Sequence, residues 1–203
     1  MTRNRLILGL TGGSGAGKGE VARILAGLGA EIICADSVAH HVMKKGETPA
    51  FDGIVREFGE GVIGADGEIC RKKLREIVFV DKDQLKNLER IVHSVIVDMI
   101  LKAANASTKR VVVIDAPLLV PSGLHKECDH TIGVFAPLDV RTSRICQRDG
   151  LSVADAQIRI NNQMSDDELR KVMDFEIDNS GTLEELDGKV RKIFDIIIAG
   201  IGA

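Results

Sequence analysis

At 203 residues, 44% of them hydrophobic and 28% charged, the chain has the size and composition of a single soluble globular domain with a real core. A formal net charge of −3 argues against nucleic acid as the main partner, and no apolar stretch approaches the roughly 18–20 residues of a membrane span. The basic start runs almost at once into a glycine-rich segment, and the four cysteines (Cys34, Cys70, Cys128, Cys146) are scattered with no C-x-x-C, so a cytoplasmic protein with free thiols is expected.

Leu6 to Leu10 reads as a buried strand. Residues 12 to 19, Gly-Gly-Ser-Gly-Ala-Gly-Lys-Gly, follow it. Helical spacing over Lys18 to Gly27 puts Val21, Ile24, Leu25 and Leu28 on one face, and Gly29 ends it. Glu31 to Ala35 is a second short strand ending at Asp36, and Val38 to Met43 is helical. From residue 47 the pattern changes. Phe51, Ile54, Val55 and Phe58 mark a helix, Glu60-Gly61 and Ala65-Asp66-Gly67 are turns, and Arg71 to Phe79 is another helix. Apolar residues from Leu85 to Ile100 give a long amphipathic helix reaching about residue 105.

Arg110 to Asp115 is a β-branched run expected to form a central strand, and Thr131 to Phe135 is the next. Leu138 to Arg148 is a helix with arginines on one face. Ser152 with Asp155 three residues later signals the start of a helix running toward Gln163. Glu176 to Asn179 is a last strand, and a terminal helix follows Thr182. Strands alternating with helices imply an α/β fold, a parallel sheet between two helical layers, with the ligand at the carboxyl ends of the strands. The segments Gly12 to Lys18, Asp36, and Asp115 to Leu119 all follow strands and would gather on that edge.

The segment at 12–19 has the pattern G-x-x-x-x-G-K, a phosphate-binding loop. Gly13, Ser14, Gly15, Ala16 and Gly17 can bend so that backbone N–H groups cradle an anion at the N-terminus of the next helix, where Gly19 and Glu20 lie. Lys18 reaches the β- and γ-phosphates. The hydroxyl usual after that lysine is replaced by Gly19. Asp36 is either a general base for an attacking hydroxyl or an N-cap for the helix starting near Ser37. Asp115 is either a magnesium anchor acting through water or a turn residue before Pro117. Arg144 and Arg148, with Arg141 a turn earlier and Arg159, Arg170 and Lys171 beyond, are either phosphate clamps or solvated charges, and Asp149, Asp155, Asp166 and Asp167 could pair several of them. His93 is a packed helix residue or a ligand contact, and Arg71 a surface charge or a phosphate anchor.

The assembled residues resemble the dephospho-CoA kinase family over about Leu8 to Gly181. The resemblance is carried by the loop to Lys18, Ala35-Asp36, Asp66-Gly67 with Arg71, Leu74 and Val78-Phe79, and Leu88-Glu89 with Ile91 and His93. It continues through Asp115-x-Pro117-Leu118-Leu119, Arg144, Gln147-Arg148-Asp149, Arg159, Gln163, Asp174 and Ile177-Asp178-Asn179-x-Gly181. It implies a P-loop NTPase fold of one kinase domain, residues 1–203. The core would be 1–44, 106–147 and 173–203, a helical substrate-binding insertion about 45–105, and a small lid about 148–172. It further implies transfer of the γ-phosphoryl of ATP, with Mg2+, to the ribose 3′-hydroxyl of dephospho-CoA. Asp36 would be the base and Lys18 the stabiliser of the moving charge. Arg144 and Arg148 would hold nucleotide, while Arg71, His93, Pro117, Leu118 and Arg159 would touch substrate. The partners would be these small molecules, with no nucleic acid or membrane, and the enzyme a monomer or small homo-oligomer.

The chain departs from the family pattern at Gly19, at Cys34 (commonly Asp), His40 (commonly Arg), Ser94 (commonly Pro) and Pro121 (commonly Glu). Gly19, Cys34 and His40 motivate a second reading, a nucleotide-binding sensor that has lost turnover. On the kinase reading, Mg2+ is held largely by the nucleotide's phosphates and waters, with Asp115 acting through solvent. Gly19→Ser is then expected to tighten the magnesium dependence without changing the substrate. A magnesium titration of activity superposing on that of the parent protein would contradict this arrangement.

Overall fold

The computed structural model describes residues 5–200, with the side chains of residues 39–41, 79, 80 and 82 outside the described set. The readings placed on His40, His41 and Phe79 therefore fall outside the described residues. Five strands, β1 (Leu6–Thr11), β2 (Glu31–Cys34), β3 (Val111–Asp115), β4 (His130–Phe135) and β5 (Phe175–Asp178), form a sheet in the order β2-β3-β1-β4-β5. The helices are α1 (Lys18–Gly27), α2 (Ala35–His41), α3 (Pro49–Phe58), α4 (Arg71–Val80), α5 (Lys82–Ala106), α6 (Leu138–Asp149), α7 (Val153–Asn161), α8 (Asp166–Arg170) and α9 (Leu183–Ala199).

The pairings of β1 with β3, β1 with β4 and β4 with β5 are parallel, with Leu8 opposite Val113 and Val134 opposite Ile177. Every residue of β1 and β3 is buried, which is why both read as unbroken apolar runs rather than alternating ones. Leu6, Leu8, Leu10, Val113, Ile132 and Val134 face α1 and α9, which close one side through Val21, Leu25, Leu186 and Val190. On the opposite face the connections press closely on two strand glycines. A Cβ at Gly9 would lie 2.7 Å from the Leu119 side chain, and one at Gly133 would lie 2.7 Å from Met173.

The chain divides into two compact units, one made of residues through Ile33 and from Ser107, the other of Cys34–Ala106. The second is helical: Phe51, Ile54, Val62, Ile69, Leu74 and Val78 form its core, and α2, α3 and α4 each pack on α5. The sequence pattern suggests a boundary near 45, whereas α2 belongs with the helical unit because it rests on α5. α2 also begins at Ala35, not near Val38, with Cys34 at its N-cap. Asp36 is thus not a cap. It sits inside the first turn, where a carboxylate complements the helix dipole.

The expected cap at Ser152 is present, its hydroxyl accepting from Asp155 N–H at 3.1 Å. α8 is not evident from periodicity, being only five residues long. It exists through its own cap: Ser165 accepts from Glu168 N–H, and the Glu168 carboxylate accepts from Ser165 N–H at 3.0 Å. α9 starts in the same way, with Glu185 N–H donating to the Thr182 hydroxyl at 3.3 Å and Thr182 N–H to Glu185 Oε2 at 3.0 Å. Thr182→Ala should cost about 1 kcal/mol, seen as a fall in Tm of roughly 2–4 °C for a chain of this size. An unchanged melting curve would show that α9 is fixed by packing alone.

Candidate active site

β1 lies at the centre of the sheet, where the strand order changes direction, so the loop leaving its carboxyl end occupies the position where open α/β sheets bind ligands. Gly15 and Gly17 have φ of 79° and 94°, a region that side chains disfavour, and Gly17 is the N-cap of α1. A Cβ at Gly15 would fall 2.5 Å from the Arg141 carbonyl oxygen, and one at Gly17 would fall 2.0 Å from Asn179 Nδ2.

The loop's carbonyls are taken by surrounding side chains. Arg141 Nε donates to Ser14 O (2.9 Å), Arg144 Nη1 to Gly15 O (3.4 Å) and Asn179 Nδ2 to Ala16 O (2.8 Å). Because the peptide is planar and trans, fixing these carbonyls aims the Gly15 and Gly17 N–H groups the opposite way. Ser14 N–H donates to Gln163 Oε1 at 2.7 Å. Arg144 Nη2 also donates to Asn179 O at 3.1 Å, joining the two supports.

Lys18, in the first turn of α1, forms an ion pair with Asp115, which is only 8% exposed at the end of β3. The register that sets Leu10 beside Asp115 brings these two together. Gly19 is exposed, and a Cβ there would meet nothing within 4 Å. Glu20 accepts from Arg23 Nε, one turn along α1, at 3.0 Å. Arg148 and Arg159 converge on Asp149, each at 2.7 Å, and the Arg148 hydrogen bond holds that carboxyl below the usual carboxylate range. Arg170 stacks on the Phe135 ring at 4.0 Å and pairs with Glu176. Pro117 O accepts from the Thr11 hydroxyl (3.4 Å), whereas Leu118 is 62% exposed.

In the helical unit Asp36 is exposed in α2, Arg71 opens α4, and His93 is half-buried midway along α5. Among the described residues no group of three or more His, Cys, Asp or Glu could hold a metal ion. Burial, with Asp129 and Glu127 nearby, pushes the Cys128 thiol up to about 12, so it is an inert packing group.

Sequence reasoning missed the part played by Arg141, Asp166, Gln163 and Asn179 as the loop's frame. A signal for Arg141 existed: it lies four residues before fully buried Ile145, on the stripe of α6 that faces inward. A charge there needs a partner.

A parallel sheet with β1 central, a glycine loop at its carboxyl end and a lysine in the following helix define a P-loop protein of the kinase type. A family model for dephospho-CoA kinase matches residues 6–185. Relatives named dephospho-CoA kinase include those of Thermobifida fusca, 41% identical over 94% of this chain and 95% of its own length, and Aquifex aeolicus, 39% identical over 93% and 95%. The chain belongs to the dephospho-CoA kinase family. Among solved structures, a Thermus thermophilus protein matches with a TM-score of 0.77 at 30% identity, covering 97% of both chains. Dephospho-CoA kinase from Campylobacter jejuni matches at 0.61 and 25%, covering 96% of this chain and 98% of its own. A shikimate kinase from Acinetobacter baumannii, TM-score 0.56 at 18% identity, shares the fold.

Gly17→Ala tests the loop directly. Left-handed strain of about 1–3 kcal/mol, before any displacement of Asn179, should weaken ATP binding by about five- to 150-fold. Unchanged affinity by calorimetry would mean the loop tolerates another backbone path.

Proposed function

We propose that this chain transfers the γ-phosphoryl group of ATP to the ribose 3′-hydroxyl of dephospho-CoA, giving coenzyme A. The observation that carries the reading is the loop, whose carbonyls are drawn outward by Arg141, Arg144 and Asn179 while Lys18 stands at its end on Asp115. Such a frame costs no reorganisation when charge develops on the transferring group. Phosphate oxygens would replace Gln163 as the acceptor from Ser14 N–H and would share Lys18 with Asp115. Mg2+, when it accompanies ATP, supplies further neutralisation of the phosphates, and Asp115 is the carboxylate that would face it.

In the transfer, the acceptor oxygen forms a bond to the γ-phosphorus as the bond to the β–γ bridging oxygen breaks, leaving ADP. Asp36 takes the acceptor's proton; its exposure in the first turn of α2 leaves the carboxylate able to meet a substrate hydroxyl. Arg71 and His93 of the helical unit would contact the coenzyme A precursor, as would Pro117 and Leu118 after β3. The segment 148–172 would act as the lid, with Arg148 and Arg159 exchanging Asp149 for phosphate oxygens on closure. Four free cysteines and no helix, among the described residues, long and apolar enough to cross a membrane support a cytoplasmic enzyme acting on small molecules. The sensor reading loses its main motive, because Lys18 and Asp115 are both in place and the space at Gly19 is open.

The deciding measurement is ADP release with ATP, Mg2+ and dephospho-CoA, for the parent protein and for Asp36→Asn. The variant should lose about 10²–10⁴-fold in kcat while binding ATP as before. Turnover surviving the substitution would remove Asp36 from the role of base. ATP binding by the parent with no transfer to dephospho-CoA would overturn the function itself.

A further inference from the structure

Arg141 is 5% exposed, yet its guanidinium is bonded to a loop that must accept a highly charged ligand. Its Nε donates to Ser14 O at 2.9 Å, and its Nη1 pairs with Asp166 Oδ1 at 2.8 Å. The fork presses so closely on the loop that a Cβ at Gly13 would stand 2.1 Å from Nη2. Gly13 is therefore needed for the approach of this arginine. Asp166 is the first residue of α8, whose start is locked by the Ser165–Glu168 capping box. From the same segment Gln163 accepts the Ser14 N–H. Both backbone polar groups of Ser14 are thus held by residues 163–166, its N–H directly by Gln163 and its carbonyl through Arg141 and Asp166.

A buried ion pair seldom adds much stability over apolar residues of the same volume. Stability alone is a weak reason for one in this position, whereas the rigid planar fork of arginine is suited to fixing a carbonyl and a carboxylate at a set angle. We propose that Arg141 is a positioning residue for ATP. It sets the Ser14–Gly15 peptide, Asp166 sets Arg141, and the affinity of the loop for triphosphate depends on α8 through this pair. The inference rests on the kinase reading for its substrate, but binding of ATP tests it separately from transfer.

The experiment uses the full chain and the variants Arg141→Lys, Asp166→Asn and the double variant. Calorimetry gives the Kd for ATP, and steady-state kinetics give KM for each substrate. Lysine keeps the charge but loses the fork, so Arg141→Lys should raise the Kd and KM for ATP about tenfold and leave KM for dephospho-CoA unchanged. Asp166→Asn should raise the Kd for ATP about threefold, and the double variant should be no weaker than Arg141→Lys, because the two residues act as one unit. A pair that merely stabilised the fold would lower Tm and leave both binding constants alone. Parental ATP affinity in folded Arg141→Lys, an equal rise in both KM values, or losses that multiply in the double variant would overturn the proposal. Should Arg141→Lys not fold, Asp166→Asn decides: a raised Kd supports the coupling and an unchanged one overturns it. Failure of the parent protein to phosphorylate dephospho-CoA would overturn the kinase reading while the ATP affinities still judge Arg141.

Discussion

Between Gly12 and Gly17 the only side chains are those of Ser14 and Ala16, so the loop has almost nothing of its own with which to hold a shape. Glycine gives the backbone access to left-handed turns but also leaves it the most conformational freedom to lose. A cradle that wandered among conformers would bind phosphate weakly, since ordering it would draw on the binding energy. The conformation is imposed from outside. Three side chains from α6 and the end of β5 take three successive carbonyls, and a glutamine takes an N–H. The glycines allow this close external support as much as they allow close approach of a ligand, as the positions of Arg141 and Asn179 against Gly13 and Gly17 require.

The sheet explains why these supports converge. β1 is central because its residues are apolar toward both faces, and only a strand with neighbours on each side has both faces and both edges covered. Its carboxyl end then lies between the ends of β3 and β4, with β5 next. Asp115 ends β3, α6 begins shortly after β4, and Asn179 follows β5 immediately. Parallel register brings the ends of all these strands to one edge, so residues more than 160 apart, such as Ala16 and Asn179, meet within hydrogen-bond distance.

Much of this was legible in the sequence because local patterns report local constraints. The apolar runs of β1 and β3, the loop spacing, the cap at Ser152 and the long amphipathic stretch of α5 are all visible within a few residues. α8 was not, because a five-residue helix has too short a period to read and stands on one capping box. The start of α2 is hard to read because Asp36 and Ser37 look like capping residues, whereas the helix begins at Ala35 with Cys34 as its N-cap. The division of labour among the arginines was also hidden. Sequence spacing puts Arg144 and Arg148 on one face, and Arg148 pairs with its neighbour Asp149, but the ion pairs of Arg141 and Arg159 depend on α7 and α8 folding back onto α6.

That division bears on which cation can neutralise a phosphate. Arg141 is satisfied by Asp166, Arg148 and Arg159 share Asp149, and Arg170 has Glu176. For each, meeting a phosphate means giving up or sharing a carboxylate, and the gain is a difference between two charged contacts. Among the described contacts of these five arginines, Arg144 alone meets only neutral carbonyl oxygens, those of Gly15 and Asn179. Its charge is already fixed in direction at the rim of the loop and is not offset by an ion pair. A charge so placed would have no carboxylate to give up to a triphosphate, whereas the buried Arg141–Asp166 pair suits a fixed support and the exposed pairs of Arg148 and Arg159 with Asp149 suit a part held in one arrangement and released in another.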